Sequence, residues 1–143
     1  MFWKDLTLNC YDNPAHTVTN RQCRHHHDHG AIVFIASMAG LGNMSFMGAY
    51  FASKSAVHSL MQGLRSELKE QHVLVATVYP GPVDTDMLTG FEIEKASPTS
   101  VAINIVNGIK EGAEEIFSDE MSKNMGLLYF SSPKELEQQF STF

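Results

Sequence analysis

A chain of 143 residues, 43% of them hydrophobic, is long enough to bury the core of one domain and too apolar to remain disordered. A formal charge of -6 with only 10 Lys and Arg leaves no basic footprint for nucleic acid, and no apolar run approaches the roughly 20 residues of a membrane span. Cys10 and Cys23 are too few for a disulfide scaffold and fit a reducing, cytoplasmic compartment, and the polar opening MFWKDLTLN has no signal-like hydrophobic region.

Residues 1–29 are the least patterned part of the chain. FWKDLTLN can start a helix, but Asp12, Asn13 and Pro14 interrupt it, and HTVTNRQCRHHHDHG is too polar to bury. A degenerate helix followed by a poorly ordered, His-rich loop is expected. His16, His25, His26, His27 and His29 are good ligand types for transition metals, yet consecutive residues rarely converge on one ion. No metal site is assigned, and the cluster reads as a solvated loop able to respond to pH.

From Gly30 the pattern sharpens. AIVFIA is short, apolar and β-branched, which predicts a strand covered on both faces, and Ser37 to Met47 reads as a loop. Tyr50 to Gln71 reads as a helix with Ala56, Leu60, Leu64 and Leu68 along one apolar stripe, widened by Val57 and Met61. Gln62, Arg65, Glu67, Lys69 and Glu70 fill the polar remainder. HVLVATVYP reads as a second buried strand, stopped by Pro80 and Gly81. Strand, helix and strand at this length predict a crossover connection and a parallel sheet.

Ser97-Pro98 supplies a cap followed by proline in the first turn, and Val101, Ile105 and Ile109 share a face of the helix it starts. Gly112 is expected to end that helix, and EEIF to form one short strand. EEIFSDE as a whole reads as exposed charge around the strand. Ser132-Pro133 marks a short terminal helix reaching Phe140. The eight methionines are scattered, which favours packing over a recognition groove.

The chemistry concentrates in two places. Tyr50 and Lys54 stand one helical turn apart and address the same space. A phenol titrates near ~10, and a neighbouring ammonium favours the phenolate, making the group a usable acid or base. Ser37, where the first strand ends, can donate to a substrate oxygen that gains negative charge. On its own such a pair is weak evidence and more often marks an ordinary surface lysine beside a half-buried tyrosine; Ser37, the strand and the helix add weight to the chemical reading. Ligands of parallel sheets gather beyond the carboxyl ends of strands, where Ser37 and the Pro80-Gly81 turn both fall.

The strings GAIVFIASMAG, AYFASKSAV and VYPGPVDTDM, in this order and spacing, resemble the C-terminal part of the classical short-chain dehydrogenase/reductase family. The resemblance covers about residues 30–90. It implies an α/β fold, a partial Rossmann-like parallel sheet with flanking helices, in which the chain is the C-terminal portion of a single domain. It also implies an oxidoreductase moving hydride between NAD or NADP and a ketone or secondary alcohol. In the family's pattern Ser37 orients the reacting oxygen, Tyr50 exchanges the proton, and Lys54 lowers the phenol's pKa and binds the nicotinamide ribose. Pro80, Gly81, Val83 and Thr85 match the turn beside the nicotinamide, and Asn9, by its distance from Ser37, matches an asparagine that holds a relay water. A homo-oligomer with a small carbonyl or alcohol substrate, and no nucleic-acid or membrane partner, is implied as well.

One part of the family's pattern is missing. No Gly-x-x-x-Gly-x-Gly string, whose amides hold a dinucleotide's pyrophosphate, precedes Ser37; Gly40, Gly42 and Gly48 come after it. The expectation is an N-terminally truncated domain, inactive by itself, whose cofactor preference cannot be read. The rival expectation is a non-catalytic homo-oligomerisation module or degenerate remnant. Met87, Leu88, Phe91 and Ile93, between Thr85 and Ser97, make the segment that the resemblance assigns as a substrate lid apolar. They fit a hydrophobic substrate or packing on the core.

Overall fold

A computed structural model of the chain describes residues 30–142. Asn9, the histidines from His16 to His29 and the interrupted helix before them lie outside these residues. β1 (Ala31–Ile35), β2 (Leu74–Val78) and β3 (Glu115–Ile116) form one parallel sheet in the order β1-β2-β3. Ala31 stands opposite Leu74 and Ile35 opposite Val78, while Thr77 pairs with Glu115. α1 (Gly48–Leu68) connects β1 to β2, and α2 (Pro98–Lys110) connects β2 to β3. α3 (Glu120–Ser131) and α4 (Pro133–Ser141) close the chain. No described helix is long and apolar enough to cross a membrane.

Alternation along β2 divides the core. Val75 and Tyr79 enter the larger cluster with Phe51, Val57, Met61 and Leu68 of α1, Met125 of α3, and Leu136 and Phe140 of α4. Ala76 and Val78 point the other way and meet Ile116, with Ile105 and Ile109 of α2 packed against them. The sheet is therefore sandwiched between helices. Ser97 caps α2 by accepting from the Ser100 amide, Pro98 follows at the first turn, and Gly112 takes the left-handed conformation (φ 71°) just beyond the helix.

Several sequence expectations need correction. β1 is not covered on both faces among the described residues, since Ala31 is exposed and Ile35 is 45% exposed. The row Ala56, Leu60, Leu64, Leu68 does not form the buried stripe; Ala56 is exposed and Leu60 is 52% exposed. An i, i+4 row drifts around a 3.6-residue helix by about 40° at each step. The buried set Val57, Met61 and Leu68, with Leu64 partly covered, alternates steps of four and three and so keeps one heading. Arg65 does not belong to the solvated face. It donates to the Val75 carbonyl, the Thr77 hydroxyl and the Glu114 carbonyl, all at 3.1 Å.

The acidic run EEIFSDE is likewise only partly exposed. Glu115 faces Arg65 at 3.5 Å, and Asp119 is buried as the N-cap of α3. α3 itself was not anticipated by periodicity. It buries Ser122, Met125 and Gly126, a face too small and polar to register as an apolar stripe, while Leu127 and Phe130 point outward. A Cβ on Gly126 would lie 2.5 Å from the Phe117 ring, so the helix approaches that ring through its smallest residue.

Candidate active site

Ser37 and Pro80 stand just beyond the ends of β1 and β2, and Tyr50 and Lys54 lie on the first turns of α1. Ser37 follows β1 in extended conformation and caps the 3-10 turn Met38–Leu41, accepting from the Ala39 amide at 3.1 Å. Its hydroxyl also points to the Pro80 carbonyl at 3.5 Å, and the Met38 amide donates to that same carbonyl at 3.0 Å. The two strand ends carrying Ser37 and Pro80 are thus tied together.

The same turn is held against α1. Ser55 donates to the Gly40 carbonyl at 3.1 Å, and a Cβ on Gly40 would stand 2.9 Å from the Lys54 carbonyl oxygen. Only glycine permits that approach to backbone. Ser37 therefore belongs to a segment packed on the helical turn that bears Lys54.

Tyr50 occupies the first turn of α1, and the Lys54 ammonium lies 5.6 Å from the centre of its ring. At this range the cation interacts with the ring's electron-rich face. Both side chains are half-buried, and among the described residues neither the phenol oxygen nor the ammonium has a hydrogen bond or ion pair with the protein. Burial pulls the Lys54 pKa below the ordinary 10.5, the signature of a cation short of both water and a counter-charge.

Beyond β2, the Gly81 amide donates to Asp119 Oδ2 at 2.8 Å. Val83 bridges Ala96 in parallel, with the Ala96 amide donating to the Pro82 carbonyl at 2.9 Å. Thr85 is exposed and its hydroxyl donates to the Val83 carbonyl at 3.3 Å. The segment beyond it does not pack on the core; Met87 is 80%, Phe91 58% and Ile93 43% exposed. A cavity of about 550 Å³ opens beyond the ends of β2 and β3, bordered by Pro82, Lys95, Asn104, Asp119 and Met125. That volume lies in the range of small-molecule sites.

Two groups near this site escaped the sequence reading. His58, one turn after Lys54, is buried between the hydroxyls of Tyr79 (Nδ1, 2.6 Å) and Tyr129 (Nε2, 3.2 Å). No local pattern announces a histidine whose partners lie on other elements. Asp119 had a readable signal, an Asp-x-x-Ser cap ahead of a helix, which was absorbed into the acidic run.

Residues 12–96 match the sequence profile of the short chain dehydrogenase family. The chain is 37% identical over 112 residues to a 3-ketodihydrosphingosine reductase of Dictyostelium discoideum, covering 69% of this chain and 34% of that protein. Its fold is similar to that of an NADP-bound short chain dehydrogenase from Burkholderia cenocepacia J2315, with a TM-score of 0.84 and 21% identity across 97% of this chain and 58% of the other. A 4-hydroxyisoleucine dehydrogenase complexed with NADH is similar at a TM-score of 0.62 and 26% identity, over 82% of this chain and 56% of that one. The chain spans about a third of the length of its reductase relative.

Proposed function

The chain belongs to the short chain dehydrogenase family, and on that premise we propose that it serves hydride transfer between a nicotinamide dinucleotide, NADH or NADPH, and a ketone or secondary alcohol, with Tyr50 as acid and base. One observation carries the reading most of the way. The Lys54 ammonium stands over the Tyr50 ring with both polar ends unspent on the protein among the described residues. A half-buried cation without a counter-charge suits a ligand that brings hydroxyls. This donor set fits a nicotinamide ribose, so Lys54 and Tyr50 would hold it, with Pro80, Gly81, Val83 and Thr85 along its other side.

When bound, the nicotinamide supplies or accepts the hydride. The remaining work falls to side chains. In reduction, Tyr50 gives its proton to the forming alkoxide, and the adjacent Lys54 charge stabilises the phenolate left behind. Ser37 turns its hydroxyl from Pro80 toward the same oxygen and stabilises the charge as it develops. Oxidation reverses these roles. Asn9 is assigned the relay water by resemblance. The exposed Met87, Phe91 and Ile93 favour an apolar ketone, in keeping with a relative named 3-ketodihydrosphingosine reductase.

Two measurements test the reading. Titration of the purified 143-residue chain with NADH and NADPH tests whether it holds a nucleotide by itself: saturable binding supports the reading for this chain, and its absence confines the reading to a longer protein containing this sequence. Where turnover of a ketone is measurable, Tyr50→Phe should lower kcat at least roughly 100-fold with an unchanged melting temperature, as expected for loss of a positioned acid. Unimpaired turnover in that variant rejects the proton role. Self-association is a second reading, favoured by Leu60 standing 52% exposed on the outward face of α1. Sedimentation of the natural chain against Leu60→Glu separates a dimer from a monomer.

A further inference from the structure

The Pro80-Gly81 turn is not held by its own strand alone. The Gly81 amide ends on Oδ2 of Asp119, which is 38 residues away in sequence and 8% exposed. The second oxygen of the same carboxylate accepts from the Ser122 amide at 2.9 Å, while the Ser122 hydroxyl receives the Asp119 amide at 3.1 Å. Ser118 reaches Oδ2 at 3.4 Å, and its carbonyl receives Asn104 of α2 at 2.8 Å. One carboxylate therefore fastens the turn after β2 to the start of α3, and its neighbour fastens α3 to α2.

The close approach is specific to glycine at position 81. A Cβ there would stand 2.5 Å from Asp119 Oδ1, inside any permitted contact. Capping α3 requires only one of the two carboxylate oxygens, and serine or asparagine would cap as well. The surplus oxygen is spent on Gly81. A hydrogen bond from a backbone amide to a buried carboxylate is among the stronger kinds and fixes direction as well as distance.

We propose that Asp119 is a positioning residue for the nicotinamide side of the site: its carboxylate sets the orientation of the Pro80-Gly81 turn on which the cofactor would lie. The inference rests on the function proposed above for where the cofactor lies, and on the Asp119 contacts for the rest. Asp119 touches neither cofactor nor substrate in this role. It decides how the surface that meets them is presented.

The distinction between capping and positioning can be made with one side chain. Asp119→Ser keeps an oxygen for the Ser122 amide but has none that reaches Gly81, and Asp119→Asn keeps a single acceptor oxygen, which can serve the cap or Gly81 but not both. Amide exchange by NMR on the whole chain reads the turn without any ligand. In Asp119→Ser the Gly81 amide should exchange roughly tenfold faster, the loss expected of one such bond, while the Ser122 amide keeps its protection. The dissociation constant for whichever of NADH and NADPH binds should rise by a similar factor in Asp119→Ser. Unchanged Gly81 exchange in Asp119→Ser overturns the proposal, and so does faster exchange with undiminished cofactor affinity.

Should Asp119→Ser fail to fold, Gly81→Ala forces the two groups apart from the other side and must weaken cofactor binding likewise. Full affinity in that variant would sink the idea. If the natural chain binds neither nucleotide, the proposed function fails for this chain, and Gly81 exchange alone then decides whether Asp119 sets the turn.

Discussion

His58 is an imidazole 7% exposed and occupied at both nitrogens by phenols. Burial, aided by Glu115, pushes the Tyr79 pKa up to about 12, so Tyr79 keeps its proton and can donate to Nδ1. The neutral ring then donates from Nε2 to Tyr129. Burial lowers the His58 pKa below the ordinary 6.5, with Glu115 opposing and Arg65 assisting. The unfolded chain thus takes up this proton first as pH falls. The stabilising contribution is complete above the unfolded value and declines as pH drops from there through the native one. Between about pH 7 and pH 5 the natural chain should lose more in melting temperature than His58→Gln, which does not titrate. Parallel melting curves for the two would show that His58 plays no such part.

At the level of elements, Arg65 links α1 to β2 and to the start of β3. Its guanidinium serves the carbonyls of Val75 and Glu114 and the Thr77 hydroxyl, with Glu115 at 3.5 Å and Glu114 at 3.8 Å as counter-charges. Removing a largely buried donor leaves these acceptors unmet, so Arg65→Met should cost about 2–4 kcal/mol in urea denaturation. Arg65→Lys should recover only part of it, because an ammonium's donors all leave one nitrogen, whereas Arg65 bonds from both Nε and a terminal nitrogen. A cost under about 0.5 kcal/mol, typical of a surface side chain, would contradict the assignment.

These same elements show what local sequence can and cannot convey. The β1–α1–β2 unit, the Ser97-Pro98 start of α2 and the Ser132-Pro133 start of α4 were all legible, since periodicity and caps are written within a few residues. The partnerships of Arg65 with Glu114 and Glu115, and of Gly81 with Asp119, span distant segments and leave no local trace. α3 was hidden because it buries Gly126 and Ser122 where a reader looks for leucine. Tyr50, Lys54 and Ser37 could be singled out by residue type and spacing alone, whereas the carboxylate behind Gly81 could not.

Across the whole molecule, the end of the chain reaches the site. Phe140 of α4 is 1% exposed, meets Phe51 edge-on at a ring separation of 5.5 Å, and lies against Gly42, which follows the Ser37 turn. A Cβ on Gly42 would collide with that ring. Phe140→Ala should destabilise by about 3–5 kcal/mol, measurable by chemical denaturation, as for other large-to-small aromatic changes in a core. A cost near zero would mean that α4 does not seal this part of the core. The consequence reaches past stability. Carboxypeptidase trimming of the last four residues would leave the serine, tyrosine and lysine chemically untouched, yet remove the wedge under their floor. Loss of ligand binding after such trimming would report on mechanical support.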